Sequence, residues 1–181
     1  MKKYIILLRG INVGGINTIS MKELKELLEK NGFRDVLSYI NSGNIIFSSE
    51  ISDTELLKRN CEALLFERFN MNLPVMILSA DDLTEALNHA PEWWNRDQES
   101  KHNAIFVIPP ASVHEIFQEV GEIKPEYEKV GCFGRVIFWS APLKTFSRTR
   151  LSKVVGSSVY NSITIRNVNT AKKLAELCKR A

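Results

Sequence analysis

Between Lys3 and Ser79 the apolar residues switch repeatedly between an alternating and a helical period, and that succession restricts the chain to few folds. Tyr4 to Leu8 is an unbroken apolar run too short for a helix, so Lys3–Leu8 reads as a buried strand. Ser20-Met21-Lys22-Glu23 has capping-box spacing: the serine oxygen accepts an N–H and Glu23 reciprocates. The helix it opens runs to about Asn31, with Met21, Leu24, Leu27 and Leu28 on one face, and Gly32 stops it. Val36–Ile40 and Asn44–Ser48 read as strands joined around the turn-forming Asn41-Ser42-Gly43-Asn44. Asp53 caps a long helix striped by Leu57, Cys61, Leu64 and Leu65, and Leu73–Ser79 is a strand with Pro74 near its start. The order is β-α-β-β-α-β, the split βαβ pattern of ferredoxin-like folds, and it fills residues 1–79.

Residues 80–181 repeat much of that order. Asp81 opens a helix to about Ala90, and a Trp93-Trp94 loop leads to a strand over Asn103–Ile108. Ala111–Val120 is helical, Tyr127–Cys132 and Arg135–Trp139 form a hairpin around Gly134, and helices cover about Ser147–Val155 and Val168–Lys179. Gly43-Asn44-Ile45-Ile46-Phe47 also parallels Gly134-Arg135-Val136-Ile137-Phe138. The expected fold class is therefore α+β, an α/β sandwich of two ferredoxin-like βαββαβ-type halves arising by duplication. The first half spans 1–79 and the second, with an extra C-terminal helix, 80–181.

A chain of 181 residues has room for such a pair, and no apolar run approaches the roughly 20 residues that span a bilayer. The start, Met1-Lys2-Lys3, is basic, but Tyr4–Leu8 is too short for a signal-peptide core. No membrane partner is expected, and Cys61, Cys132 and Cys178, odd in number and without CxxC spacing, indicate a reduced, cytoplasmic protein. Residues 80–125 carry three basic against nine acidic side chains, and residues 126–181 eleven against three. A basic C-terminal third beside an acidic middle suits an anionic partner, or simply solvates helices.

Three motifs stand in order along the chain: Leu7-Leu8-Arg9-Gly10-Ile11-Asn12-Val13-Gly14-Gly15, Tyr39-Ile40-Asn41-Ser42-Gly43-Asn44 and Thr164-Ile165-Arg166-Asn167. They resemble the bacterial family called domain of unknown function 1697, from one end of the sequence to the other. In the third motif Val168 follows where the family has an aromatic residue. The resemblance implies an α/β protein of two ferredoxin-like halves; it implies no reaction, cofactor or catalytic residue.

Two stretches have the chemistry of anion sites. In Arg9–Asn17, Gly10, Gly14 and Gly15 free the backbone to turn N–H groups toward one point, with Asn12 beside them and Arg9 or Lys22 as counter-charge. The spacing is neither a P-loop nor GxGxxG, and the same glycines would serve a crossover packed closely on a sheet. In a ferredoxin-like unit this loop and the central hairpin are expected at opposite sheet ends, which separates Asn12 from Asn41–Asn44. Ser147-Arg148-Thr149-Arg150-Leu151-Ser152-Lys153 is dense in phosphate-contacting side chains, and Asn167 is placed to cap the last helix with Arg166 beside its N-terminus. A solvated basic helix face would look the same.

Catalytic signals are sparse. His89, His102 and His114 lack metal-ligand spacing, no GxSxG elbow occurs, and Cys61 sits on a core stripe. Trp93-Trp94 suits stacking on a ligand or packing of a loop. The sequence specifies no catalytic residue, metal or cofactor. Its best functional reading is binding of a phosphorylated small molecule or nucleotide through Arg9, Gly10, Asn12, Gly14, Gly15, Arg148, Arg150, Arg166 and Asn167. The alternatives are an interaction domain without catalysis, or a nucleic-acid module, although Tyr4 and Phe47 do not reproduce the paired aromatics of an RNA-recognition sheet.

Overall fold

The computed structural model describes residues 1–15 and 17–180, so Ile16, within the glycine-rich loop, and Ala181 lie outside it. The chain divides into two compact units: Met1–Thr84 with Lys173–Ala181, and Glu85–Lys172.

The first unit contains β1 (Lys2–Leu8), α1 (Met21–Lys30), β2 (Arg34–Tyr39), β3 (Asn44–Ser49), α2 (Thr54–Phe69) and β4 (Val75–Ser79), followed by α3 (Ala80–Asn88). Its sheet is antiparallel in the order β2-β3-β1-β4. Register decides what the helices cover: Tyr4 lies opposite Phe47, and Ile6 opposite Ile45 and Ile77, so these residues share a face. That face forms one core with Leu24 and Leu28 of α1 and Leu57, Cys61 and Leu65 of α2. Tyr4 stacks on Phe47 at 5.5 Å between centroids. Asp53 caps α2 as expected, accepting from the N–H groups of Glu55 at 2.9 Å and Leu56 at 3.1 Å. Ser20 accepts from Glu23 N–H at 3.4 Å, but the Glu23 carboxylate pairs with Arg68 of α2 and so links the two helices. Strand β4 starts two residues later than expected, after Pro74, and Glu62 of α2 accepts from Val75 N–H at 3.1 Å.

The second unit holds β5 (Ser100–Val107), α4 (Val113–Val120), β6 (Lys129–Phe133), β7 (Val136–Pro142) and β8 (Ile163–Asn167), and α5 (Val168–Arg180) begins in it. The order β6-β7-β5-β8 repeats that of the first sheet strand for strand. The mixed α+β class and the paired βαββ order are as expected. Two features of this half are not. Thr164–Asn167, which leads into the last helix as expected, is itself a strand, pairing Asn103 with Asn167 and Ile105 with Ile165. Ile163 and Ile165 alternate with Thr164 and Arg166, which is a strand signature.

The segment Ser147–Val155 is not an α-helix. The chain passes from β7 to β8 through three 3-10 turns, Leu143–Arg148, Leu151–Val154 and Ser158–Ser162. Hydroxyl side chains account for it. Thr149 donates to Phe146 O at 2.7 Å, Ser152 to Thr149 O at 3.1 Å and Ser157 to Val154 O at 2.7 Å, each capturing the carbonyl three residues back.

One glycine in the first unit is fixed by space as well as by backbone. Gly43 has φ +73°, and a Cβ there would lie 2.7 Å from Leu8 Cβ and 2.9 Å from Ile11 Cδ1. Gly15 has φ +77° with nothing within 4 Å. Gly15→Ala is expected to cost about 1–2 kcal/mol for the left-handed backbone. Gly43→Ala adds an overpacking term of about 1–3 kcal/mol. Urea unfolding of both variants checks this, and equal losses would contradict the packing.

Candidate functional site

The glycine-rich loop is built around its own amides. Gly10, Asn12, Gly14, Gly15 and Asn17 all have positive φ, from 50° to 77°. Ile11 and Ile19 are buried at either end of the loop. Between them Asn12 acts as a clip: Oδ1 accepts from Ile19 N–H at 2.8 Å, and Nδ2 donates to Ile19 O at 2.9 Å and to Asn41 O at 2.8 Å. Asn17 Nδ2 donates to Gly10 O at 3.1 Å, and Asn12 N–H to Asn17 O at 3.2 Å. The loop and the β2–β3 turn therefore meet, contrary to the expectation of opposite sheet ends. The reason is the antiparallel pairing of β1 with β3, which sets the end of one beside the start of the other, with Leu8 N–H donating to Gly43 O at 2.8 Å. Arg9 is half-buried, and Gly10, Gly14 and Gly15 are exposed.

The second unit holds a cleft of about 770 Å³. It opens on the sheet face that carries Asn103, Trp139, Ile165 and Asn167, under the wall made by the 3-10 turns through Phe146, Leu151 and Val154. In the first unit the corresponding β3-to-β4 connection is the sixteen-residue helix α2. Three short turns cover less of a sheet than a helix does, and the cleft is what they leave open. Lys101 sits at it with Nζ 4.3 Å from the Phe146 ring centroid, a cation–π distance. Asn167 caps α5, its Oδ1 accepting from Thr170 N–H at 2.8 Å, so the first turn of that helix lies along the cleft.

Glu128 holds the wall in place, and no motif in the sequence points to it. It is buried, at 3% exposure. Its carboxylate accepts from Arg150 N–H at 2.6 Å, Leu151 N–H at 3.2 Å, the Trp139 indole at 3.1 Å and Lys124 N–H at 3.3 Å. These donors satisfy a charge that would otherwise be costly to bury.

The arginines expected to gather around phosphate are dispersed. Arg148 is exposed, with its guanidinium 5.7 Å from the Tyr127 ring centroid. Arg150 is tied to Glu128 by its main chain, and its Nε is buried without a hydrogen-bond partner. Arg166 is buried on the opposite face of β8 from Asn167, donating from Nη1 to Thr164 Oγ1 at 2.8 Å and Ile165 O at 2.9 Å. Burial pushes its pKa down to about 10. Of Arg148, Arg150, Arg166 and Asn167 only Asn167 lines the cleft, with Ser152 of the basic segment also on its wall. Trp94 is a packing residue: it meets Phe138 edge-on at 5.0 Å and donates to Asn103 O at 3.0 Å. Among the described residues no group of three or more His, Cys, Asp or Glu is arranged to hold a metal, and no helix is long and apolar enough to cross a membrane.

The fold and cleft together define a two-unit α+β protein with a ligand-sized concavity on its second sheet. The chain belongs to the family described as protein of unknown function (DUF1697), whose model matches residues 1–138. Its relatives of known structure include one titled the structure of conserved bacterial protein SP0830 from Streptococcus pneumoniae. That protein is 32% identical, with 98% of each chain covered and a TM-score of 0.87. No curated protein matches the chain.

Two measurements check this geometry. Each buried donor left unpaired costs about 1–3 kcal/mol, so Glu128→Ala is expected to lose about 3 kcal/mol or more in urea unfolding. A loss below about 1 kcal/mol would mean that the four bonds do not hold the wall. Burial pushes the Cys61 thiol up to about 12 and that of Cys178 upward, whereas Cys132 is exposed. A thiol reagent on the folded protein is expected to modify Cys132 first and to reach Cys61 only on unfolding; early modification of Cys61 would contradict its burial.

Proposed function

We propose that the protein binds a small phosphorylated molecule, a nucleotide or sugar phosphate, in the cleft of its second unit. The observation that carries the reading is the cleft itself. Its volume of about 770 Å³ lies within the range typical of small-molecule sites. Its lining pairs an apolar and aromatic wall with convergent polar groups, the pattern that orients a ring and a polar substituent. Among the described residues that line it, Lys101 is the one cation, and Val168 and Asn169 of the capped first turn of α5 line it too. The phosphate would sit between these two, and the amides of Asn103 and Asn169 would read hydroxyl or base edges.

On this reading the two units are copies of one ferredoxin-like unit. The second has exchanged its second helix for hydroxyl-bonded turns and gained a binding face. The glycine-rich loop is then architecture, held by Asn12 to the β2–β3 turn, and Arg9, Arg148, Arg150 and Arg166 are not phosphate ligands.

A thermal-shift series with nucleotides, sugar phosphates, inorganic phosphate and short RNA and DNA tests it. A bound small ligand at a hundredfold excess over Kd stabilises by about 2.7 kcal/mol. The expected outcome is a shift from a phosphorylated small molecule that is lost in Lys101→Glu and in Val155→Trp, a substitution filling the mouth, and kept in Arg9→Ala. A shift kept in both cleft variants but lost in Arg9→Ala would move the site to the glycine-rich loop, and no shift at all would refute the proposal.

A further inference from the structure

A strap of chain from Pro91 to Glu99 crosses the second unit and is shared by two cavities. Asn95, Asp97 and Gln98 line the cleft, while Trp93, Asp97 and Glu99 line a neighbouring cavity of about 370 Å³. Much of what ties this strap to the sheet converges on one buried imidazole. His102 Nδ1 accepts from Asn95 N–H at 3.1 Å and lies 2.6 Å from Ser140 Oγ, and Nε2 lies 2.8 Å from the main-chain oxygen of Asp97. A main-chain N–H can only donate and a main-chain carbonyl can only accept. These partners therefore select the neutral ring with hydrogen on Nε2 and a lone pair on Nδ1. The His102 ring shares the sheet face of Ser140, opposite to that of Asn103 and Asn167, so it acts on the cleft through the strap residues Asn95, Asp97 and Gln98.

We propose that His102 is a proton-operated latch: a second proton expels Asn95 from Nδ1, shifts the strap and reshapes the cleft. An imidazolium carries hydrogen on both nitrogens, so the Asn95 N–H then faces another donor. The Ser140 hydroxyl can rotate to accept instead of donate, whereas the Asn95 amide has no such freedom. Asn95 already holds φ +66°, a conformation that costs energy once its bond is gone.

The charges around the ring set the direction. The Asp97 carboxylate of the strap lies 3.8 Å from Nε2. Hydrogen bonds from Ser100, with a smaller contribution from His102, hold that carboxyl below its ordinary range, so it is ionised where histidine titrates. On β7 the facing group is the uncharged Ser140; beyond it on β6 stands Lys129, and on β8 Arg166 shares the face through its partner Ala104. Lys172 of α5 lies 6.0 Å from the Trp94 ring. Asp97 thus brings negative charge to the ring, and Lys129, Arg166 and Lys172 are the positive groups of the surrounding elements. The charged ring keeps its Nε2 partner and loses only Asn95, so the strap re-docks rather than unfolds.

The consequence for binding rests on the cleft reading, but the latch is observable without any ligand. Nitrogen-resolved NMR of the full chain from about pH 8 to about pH 5 is the test. At the upper limit Nδ1 is expected unprotonated, with the Asn95 amide protected from exchange. On acidification that protection falls by about tenfold or more beyond the intrinsic pH effect, together with a change in tryptophan fluorescence. Asp97→Asn is expected to move the midpoint to lower pH, and His102→Gln to abolish the transition. Ser140→Ala keeps the latch and therefore the transition, which guards against a His102 variant that fails to fold. A ring with hydrogen on Nδ1 at the upper limit, an Asn95 amide indifferent to pH, or a transition surviving in His102→Gln would each overturn the proposal.

Discussion

The second unit is organised around a buried carboxylate satisfied by N–H groups. Glu128 precedes the hairpin strand β6 by one residue, yet it accepts from the main chain 22 residues further on, at Arg150, and from the Trp139 indole of β7. Burying a carboxylate is costly unless it is fully hydrogen-bonded, so the geometry around Glu128 has little freedom. The turn that begins at Leu151 is held at one fixed height above the sheet. Everything proposed about the cleft depends on that height: its roof is the same turn, and its floor includes the same Trp139.

The two units show what a change of connection does to one topology. Both sheets have the same strand order and both place a capped helix after the first strand. In the first unit α2 buries Leu57, Cys61 and Leu65 on the sheet, which leaves a filled core. In the second, Leu151 and Val154 are the buried residues of a four-residue turn, and Ser152 and Val155 next to them border open space. A helix seals a sheet face with a continuous stripe of side chains; short turns seal it in patches. The proposed binding site lies where the sealing is incomplete.

Much of the first unit was legible because its signals are local. Ser20, Asp53 and Asn41-Ser42-Gly43-Asn44 act on neighbours within a few residues, and the elements they bound stand where expected. The place of the glycine-rich loop was not legible, because it follows from the pairing of β1 with β3, more than thirty residues apart. In the basic segment the residue types that suggested phosphate contacts, Thr149 and Ser152, are those whose hydroxyls break the helix. The motif Thr164-Ile165-Arg166-Asn167 suggested Arg166 as a phosphate contact beside a helix N-terminus, yet strand alternation sends it inward and leaves Asn167 on the cleft side. Glu128 and His102 carry no motif at all. Their importance lies in partners that only the folded chain supplies, and a histidine or glutamate in a strand-rich sequence gives no sign of them.

The most direct test of the account is amide chemical-shift mapping of the full chain with adenosine monophosphate and glucose 6-phosphate as probes. The account predicts that one of them perturbs a contiguous set comprising Lys101, Asn103, Leu151, Ser152 and the first turn of α5, and leaves residues 9–19 unchanged. Perturbation centred on the glycine-rich loop, or none from either probe at millimolar concentration, would contradict it.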